Sequence, residues 1–130
     1  MYEKVTAGVR VIVRPEYREE QSDPAQGYYV WAYHVVIRNE SPRAMTLKTR
    51  YWRVTDGRGR VQEVRGAGVV GEQPRLEPGE SFEYTSGTPL ATPGGFMCGA
   101  YQMELDDGSM LEIEIPTFSL DIPETRRLVH

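Results

Sequence analysis

Between residues 4 and 14 the chain alternates. Val5, Ala7, Val9, Val11 and Val13 share one parity, and Thr6, Gly8, Arg10 and Arg14 occupy the other. A period of two with one wet face predicts a half-buried strand, with Ile12 as the exception. Residues 28–39 are apolar on both parities: Tyr29, Trp31, Tyr33, Val35 and Ile37 against Tyr28, Val30, Ala32 and Val36. That pattern predicts a central strand covered on both faces. Further strands are predicted over 44–55, 60–65, 80–86, 96–105 and 110–115. In the last of these, Leu111, Ile113 and Ile115 alternate with Glu112 and Glu114, and Phe118 and Leu120 extend the edge past Pro116.

The joints between these runs carry turn chemistry. Asp56-Gly57-Arg58-Gly59 and Asp106-Asp107-Gly108-Ser109 are hairpin signals, because glycine supplies the positive φ that tight hairpins need. Asn39-Glu40-Ser41-Pro42 is a turn, residues 15–27 form a long polar loop, and residues 66–79 and 87–95 are rich in glycine and proline. No stretch has helical spacing. The sum is an all-β chain of about seven strands, which points to an antiparallel sandwich of the immunoglobulin or fibronectin type III kind. A closed barrel is the alternative. Val9, Val11, Tyr33, Val35, Tyr101 and Ile113 are the expected core. At 130 residues one domain is expected, 1–130, with 121–130 as a C-terminal tail.

Composition narrows the function classes. The net charge is -4, which disfavours general binding to nucleic acid or to an anionic membrane. No apolar run reaches the roughly 20 residues that span a bilayer. Met1-Tyr2-Glu3-Lys4 has no apolar stretch behind it, so no signal peptide and a cytoplasmic location are expected. Cys98 is the only cysteine, so no internal disulfide or thiolate metal cluster can form. With two histidines, a multi-histidine zinc centre is not expected either, and no metal or cofactor is assigned.

The charge is uneven. Residues 43–75 hold eight basic side chains against three carboxylates. The same third contains Gly66-Ala67-Gly68-Val69-Val70-Gly71, which spells G-x-G-x-x-G. On a dinucleotide fold this motif must open a helix, but Pro74 and Pro78 follow it and exclude that helix. A weaker reading survives, in which the backbone N–H groups of Gly66, Gly68 and Gly71 form an anion-binding concavity. Arg58, Arg60, Arg65 and Arg75 would then supply charge-assisted bonds to a phosphate. The bland alternative is a tightly bent connecting loop with solvated arginines.

Other constellations are weaker. Asp106-Asp107-Gly108 offers two carboxylates to a hard cation, but Asp-Gly is also the expected turn pair. His34 is expected to be structural, His130 terminal, and Cys98 a small buried hydrophobe. Ser86 lacks the flanks of a hydrolase nucleophile elbow. No nucleophile, base and orienting group share useful spacing, so no catalytic residue is assigned. Tyr28, Tyr29, Trp31, Tyr33, Tyr51 and Trp52 are more aromatics than one small core readily hides. Tyr51 and Trp52 are therefore candidates for a partner-binding or dimer patch.

A run of motifs across the chain resembles the ApaG family: Arg50-Tyr51-Trp52, Thr55-Asp56-Gly57-x-Gly59, Gly66-x-Gly68-Val69-Val70-Gly71-x-Gln73-Pro74, Pro78-Gly79-Glu80 and Tyr84-Thr85-Ser86-Gly87. Thr92-Pro93-x-Gly95-x-Met97-x-Gly99-x-Tyr101-x-Met103 and Ile115-Pro116-x-Phe118-x-Leu120 continue it. The resemblance implies a fibronectin type III-like sandwich in a small bacterial cytosolic protein. It also implies a link to cobalt and magnesium resistance or efflux, and a glycine loop proposed to bind pyrophosphate. Related domains at the ends of some eukaryotic proteins look like protein-binding modules. Two readings follow. The first is a non-enzymatic module that binds an unidentified protein or a second copy of itself. The second is a sensor of nucleotide or polyphosphate, with or without a divalent cation, at the glycine-rich loop.

Overall fold

The computed structural model describes residues 1–123. The strands are β1 (Tyr2–Thr6), β2 (Val9–Tyr17), β3 (Tyr29–Asn39), β4 (Met45–Asp56), β5 (Val61–Ala67), β6 (Arg75–Leu76), β7 (Ser81–Leu90), β8 (Gly95–Leu105) and β9 (Met110–Leu120). Two single turns of 3-10 helix, Glu19–Gln21 and Pro24–Gln26, fill the acidic loop. The strands form two antiparallel sheets. One has the order β1-β2-β3-β7, the other β5-β4-β8-β9, with β6 continuing the β5 edge along β4. The expected all-β sandwich is therefore the observed one.

The alternation works as read for β2, where Val9, Val11 and Val13 are fully buried. It fails at Val5, which is 47% exposed. Residues 4–14 are two strands rather than one, because Ala7 (φ 50°) and Gly8 (φ 80°) adopt the left-handed backbone and reverse the chain. That is the two-residue hairpin whose twist matches its strands. In β3 only the odd parity is buried, and the even parity is half-buried rather than covered.

Three prolines lie within strands. β2 continues through Pro15, which lies past the end of β1. β7 continues through Gly87 and Pro89 to Leu90, so the break expected at 87–95 is shorter. β9 continues through Pro116 to Leu120. β7 and β9 are edge strands, where a missing N–H breaks no ladder. In β9 the register slips between Met97 and Gly99 of the facing strand, so the extra residue at the proline is absorbed as a bulge. The tail expected at 121–130 lies outside the described residues from 124 onward, and His130 with it.

The core is an aromatic-centred slab between the sheets. Tyr33 and Trp52 lie 5.1 Å apart, and Phe118 meets Trp52 edge-on at 5.9 Å. Burying each such ring stabilises the fold by roughly 1.5–3 kcal/mol. The expected core residues Val9, Val11, Tyr33, Val35, Tyr101 and Ile113 are all buried. Asn39 is the buried polar hub. Its amide donates to the carbonyls of Arg43 (2.7 Å) and Leu76 (3.0 Å), and its Oδ1 accepts from Ser41. Every polar atom of that side chain is thus satisfied, as burial demands. No helix among the described residues is long and apolar enough to cross a membrane.

Candidate functional site

The glycine-rich segment begins at the end of β5 and is built around a bulge in β4. The register of β4 against β8 shifts between Leu47 and Thr49, so Lys48 is an extra residue. Its freed carbonyl accepts the N–H of Gly68 (2.9 Å) and the side-chain amide of Gln73 (2.9 Å). Val69 and Glu72 exchange both backbone bonds, at 2.8 and 2.9 Å, and close a hairpin whose turn residues are Val70 (φ 44°) and Gly71 (φ 81°). Val69 is fully buried and anchors the loop in the core.

This geometry explains the motif without a ligand. A Cβ at Gly68 would sit 2.2 Å from the carbonyl oxygen of Glu72. A Cβ at Gly66 would sit 2.8 Å from Nη1 of Arg50, whose guanidinium donates to the carbonyls of Ala67 (3.1 Å) and Gly68 (2.9 Å). Of the three N–H groups assigned to the concavity, that of Gly68 is spent on the Lys48 carbonyl, and the neighbouring Val69 and Glu72 N–H groups bond each other's carbonyls. An anion-binding nest needs such groups to converge outward instead.

The four arginines assigned to a phosphate are dispersed. Arg58 and Arg60 lie at the β4–β5 turn, and β5 separates them from Gly68 by roughly 20 Å. Arg60 bonds Asp56 at 2.9 Å, and the N–H groups of Arg58 and Arg60 both donate to the same carboxylate. Partial burial pulls the pKa of Asp56 upward, but those bonds outweigh it and hold the group below the ordinary range. Arg75 makes two bonds to Asp106, at 2.8 and 3.2 Å, and approaches Glu77. Arg43 bonds Asp107 at 2.9 Å. The Asp106-Asp107 pair is thus a turn that neutralises arginines from the basic third. Asp107 is held below the ordinary carboxylate range by its bonds from Ser109 and then Arg43. Among the described residues no cluster of histidine, cysteine and carboxylates could hold a metal ion.

Most of the surplus aromatics are core. Trp31, Tyr33 and Trp52 are buried, with Trp52 only 3% exposed, so Trp52 cannot form part of an interaction surface. The reason is strand parity: beyond the Lys48 bulge, Trp52 and Val54 point inward and Tyr51 and Arg53 point outward. Tyr51 is half-buried and faces outward. Its ring lies under the guanidinium of Arg65, 4.5 Å from centroid to Cζ, and its hydroxyl bonds Glu63.

Tyr51 is one member of a longer strip. The outward residues of β8 are Phe96, Cys98 and Ala100, paired with Thr55, Arg53 and Tyr51 of β4. Phe96 is 45% exposed, and Cys98 is half-buried on this outer face rather than enclosed in the core. Over Cys98, Gly99 and Ala100 lies an open depression of about 300 Å³, bounded by Tyr51 on one side and Glu112 and Glu114 on the other. Gly99 lies so close to Tyr51 that a Cβ there would sit 2.1 Å from the Tyr51 carbonyl. The strip thus has an apolar centre and a charged rim. Phe96 and Ala100 were missed in the sequence, although the alternation of Phe96, Cys98, Ala100 and Gln102 against Met97, Tyr101 and Met103 carries the signal.

Residues 19–105 match the family model described as the ApaG domain. Protein ApaG from Parvibaculum lavamentivorans is 55% identical over 130 residues, all of both chains. Protein ApaG from Rhodospirillum centenum is 60% identical over 126 residues, 97% of each. The crystal structure of the putative ApaA protein from Bordetella pertussis superposes with a TM-score of 0.87 at 51% identity, covering 88% of this chain and 94% of that one. A match across the whole length at this identity makes the chain a member of the ApaG family.

Proposed function

We propose that the chain is a non-enzymatic protein-interaction module that binds through the outer face of the β5-β4-β8-β9 sheet. The observation that carries this reading is the uncovered strip of Tyr51, Phe96, Cys98 and Ala100, rimmed by Arg53, Arg65, Glu112 and Glu114. Tyrosine within the strip and arginine on its rim are residue types enriched among those that dominate binding energy at interfaces. The inward use of the N–H groups of Gly68, Val69 and Glu72 favours this reading over a polyphosphate sensor. The cobalt and magnesium resistance implied by the family would then act through a bound protein.

The test is a pull-down from native cytosol with the wild-type chain, Phe96→Asp and Arg58→Ala/Arg60→Ala as baits. The expected result is a protein captured by wild type and by the arginine variant but lost with Phe96→Asp. Capture unaffected by Phe96→Asp overturns the reading. An amide-shift titration with pyrophosphate and ATP complements it. Shifts confined to 58–75 at millimolar ligand would restore the sensor.

A further inference from the structure

We infer that the occupant of this face is a second copy of the chain, docked about a two-fold axis that runs parallel to the strands between β4 and β8. The inference rests on the reading of the face as a binding surface and names its partner.

The strand registers fix rows across the face. One row is Arg65, Tyr51, Ala100 and Glu114, read from β5 to β9. Its ends carry opposite charge, a bulky ring stands on one side of the centre, and a small residue on the other. An axis along the strands reverses each row onto itself. Tyr51 then enters the depression over Ala100 of the other copy, and Arg65 meets its Glu114. In the row at Phe96 the same operation sets the exposed ring over Thr55, and in the row at Cys98 it sets Arg53 over a thiol. Aligned packing of two sheets face to face is an ordinary arrangement. An axis across the strands, centred on Cys98, would instead stack Arg53 on Arg53 and Glu63 on Glu63. Self-complementarity about one axis is what an isologous dimer requires.

The rim charges are available for this. Glu114 pairs with Lys4 in an ion pair whose side chains are both 50% exposed. Arg65 approaches Glu63 at 3.8 Å and stacks on the Tyr51 ring, with its side chain 68% exposed. Exposed pairs of this kind are worth little and exchange readily. The face is also small. Four strands about 4.8 Å apart and some six residues long present on the order of half the ~800 Å² that each partner gives to a stable complex. The dimer is therefore weak, with a dissociation constant on the order of 100 µM.

Sedimentation equilibrium of the full chain from about 10 µM to about 1 mM tests this, since that range brackets the expected constant. Reversible dimerisation is expected. Arg65→Glu and Glu114→Arg should each weaken it about tenfold or more by setting like charges together, and the double variant should recover it. Ala100→Glu should leave a monomer, with an unchanged circular dichroism spectrum to show that the fold is intact. A wild type that stays monomeric throughout overturns the inference, as does a dimer indifferent to all four variants. If the chain is monomeric yet Phe96→Asp still loses a captured cytosolic protein, the second copy is rejected and the binding face stands. If neither self-association nor capture depends on the face, both readings fall.

Discussion

The guanidinium of Arg50 rests on the α-carbon of Gly66, so close that any Cβ there would lie 2.8 Å from Nη1. From that seat Arg50 donates to the carbonyls of Ala67 and Gly68 and holds the start of the glycine loop against β4. The three glycines therefore do three structural tasks. Gly66 makes room for an arginine, Gly68 lets the chain pass the Glu72 carbonyl, and Gly71 completes a tight turn. A motif that suggests phosphate chemistry in the sequence also builds the architecture of a hairpin.

These roles predict an order of damage. Gly68→Ala combines a φ of 62° with a Cβ placed 2.2 Å from a backbone oxygen, so the loop must move. Its cost, strain plus clash, should exceed about 2 kcal/mol. Gly71→Ala meets nothing within 4 Å and carries only the strain of a φ of 81°, about 1–2 kcal/mol. Denaturant midpoints of the two variants check this, and equal losses would refute the account of the loop.

Much of the fold was legible because period-two alternation and Asp-Gly turns are local signals. Val9, Val11 and Val13 face inward as their parity requires. The failures arose where one residue changed the direction or parity of the backbone. Ala7 at positive φ is invisible to propensity, so the first hairpin was read as one strand. Pro89 reads as a break because the sequence does not say which strands lie at edges. The site was less legible than the fold. Arg58, Arg60, Arg65 and Arg75 are neighbours in sequence, but β5 and the turn at Asp106 draw them apart. Adjacent Tyr51 and Trp52 point to opposite faces, as strand residues must.

The hairpin gives a direct comparison within one apolar residue class. Ile113 is fully buried in β9 and Val5 is 47% exposed in β1. Ile113→Ala should cost about 2–5 kcal/mol through lost burial and the cavity left behind. Val5→Ala should change stability by less than about 0.5 kcal/mol. Thermal or chemical unfolding separates the two, and a large loss at Val5 would restore the single-strand reading of 4–14.

Tyr51 and Trp52 should separate binding from folding. Trp52 contacts Tyr33 and Phe118 in the core, so Trp52→Ala should destabilise by about 3–5 kcal/mol. Tyr51→Ala removes an outward ring and its stack with Arg65, an exposed interaction worth about 1 kcal/mol or less. The Tyr51 variant should stay folded while losing capture and self-association. A Tyr51 variant that unfolds would mean that the ring belongs to the core.

The hydroxyls of Tyr84 and Tyr101 meet at 2.5 Å between the sheets, with both rings buried. Burial raises both pKa values above the ordinary tyrosine range. For Tyr84 the hydrogen bond with Tyr101 pulls partly back, and for Tyr101 the proximity of Tyr84 adds to the rise. Neutral tyrosines are thus favoured in the folded state. Their contribution is complete below the unfolded pKa of about 10 and is lost as pH rises through the folded values. The protein should therefore lose stability steadily above about pH 10. Tyr84→Phe alone should cost about 1–3 kcal/mol at neutral pH, because it leaves the Tyr101 hydroxyl buried without its partner. Tyr84→Phe with Tyr101→Phe removes both polar atoms, so it should cost less than the sum of the single variants and flatten the alkaline loss. Unfolding free energies at neutral and alkaline pH decide the matter. Additive losses, or a double variant as steep in alkali as wild type, would show that the two hydroxyls do not act as a pair.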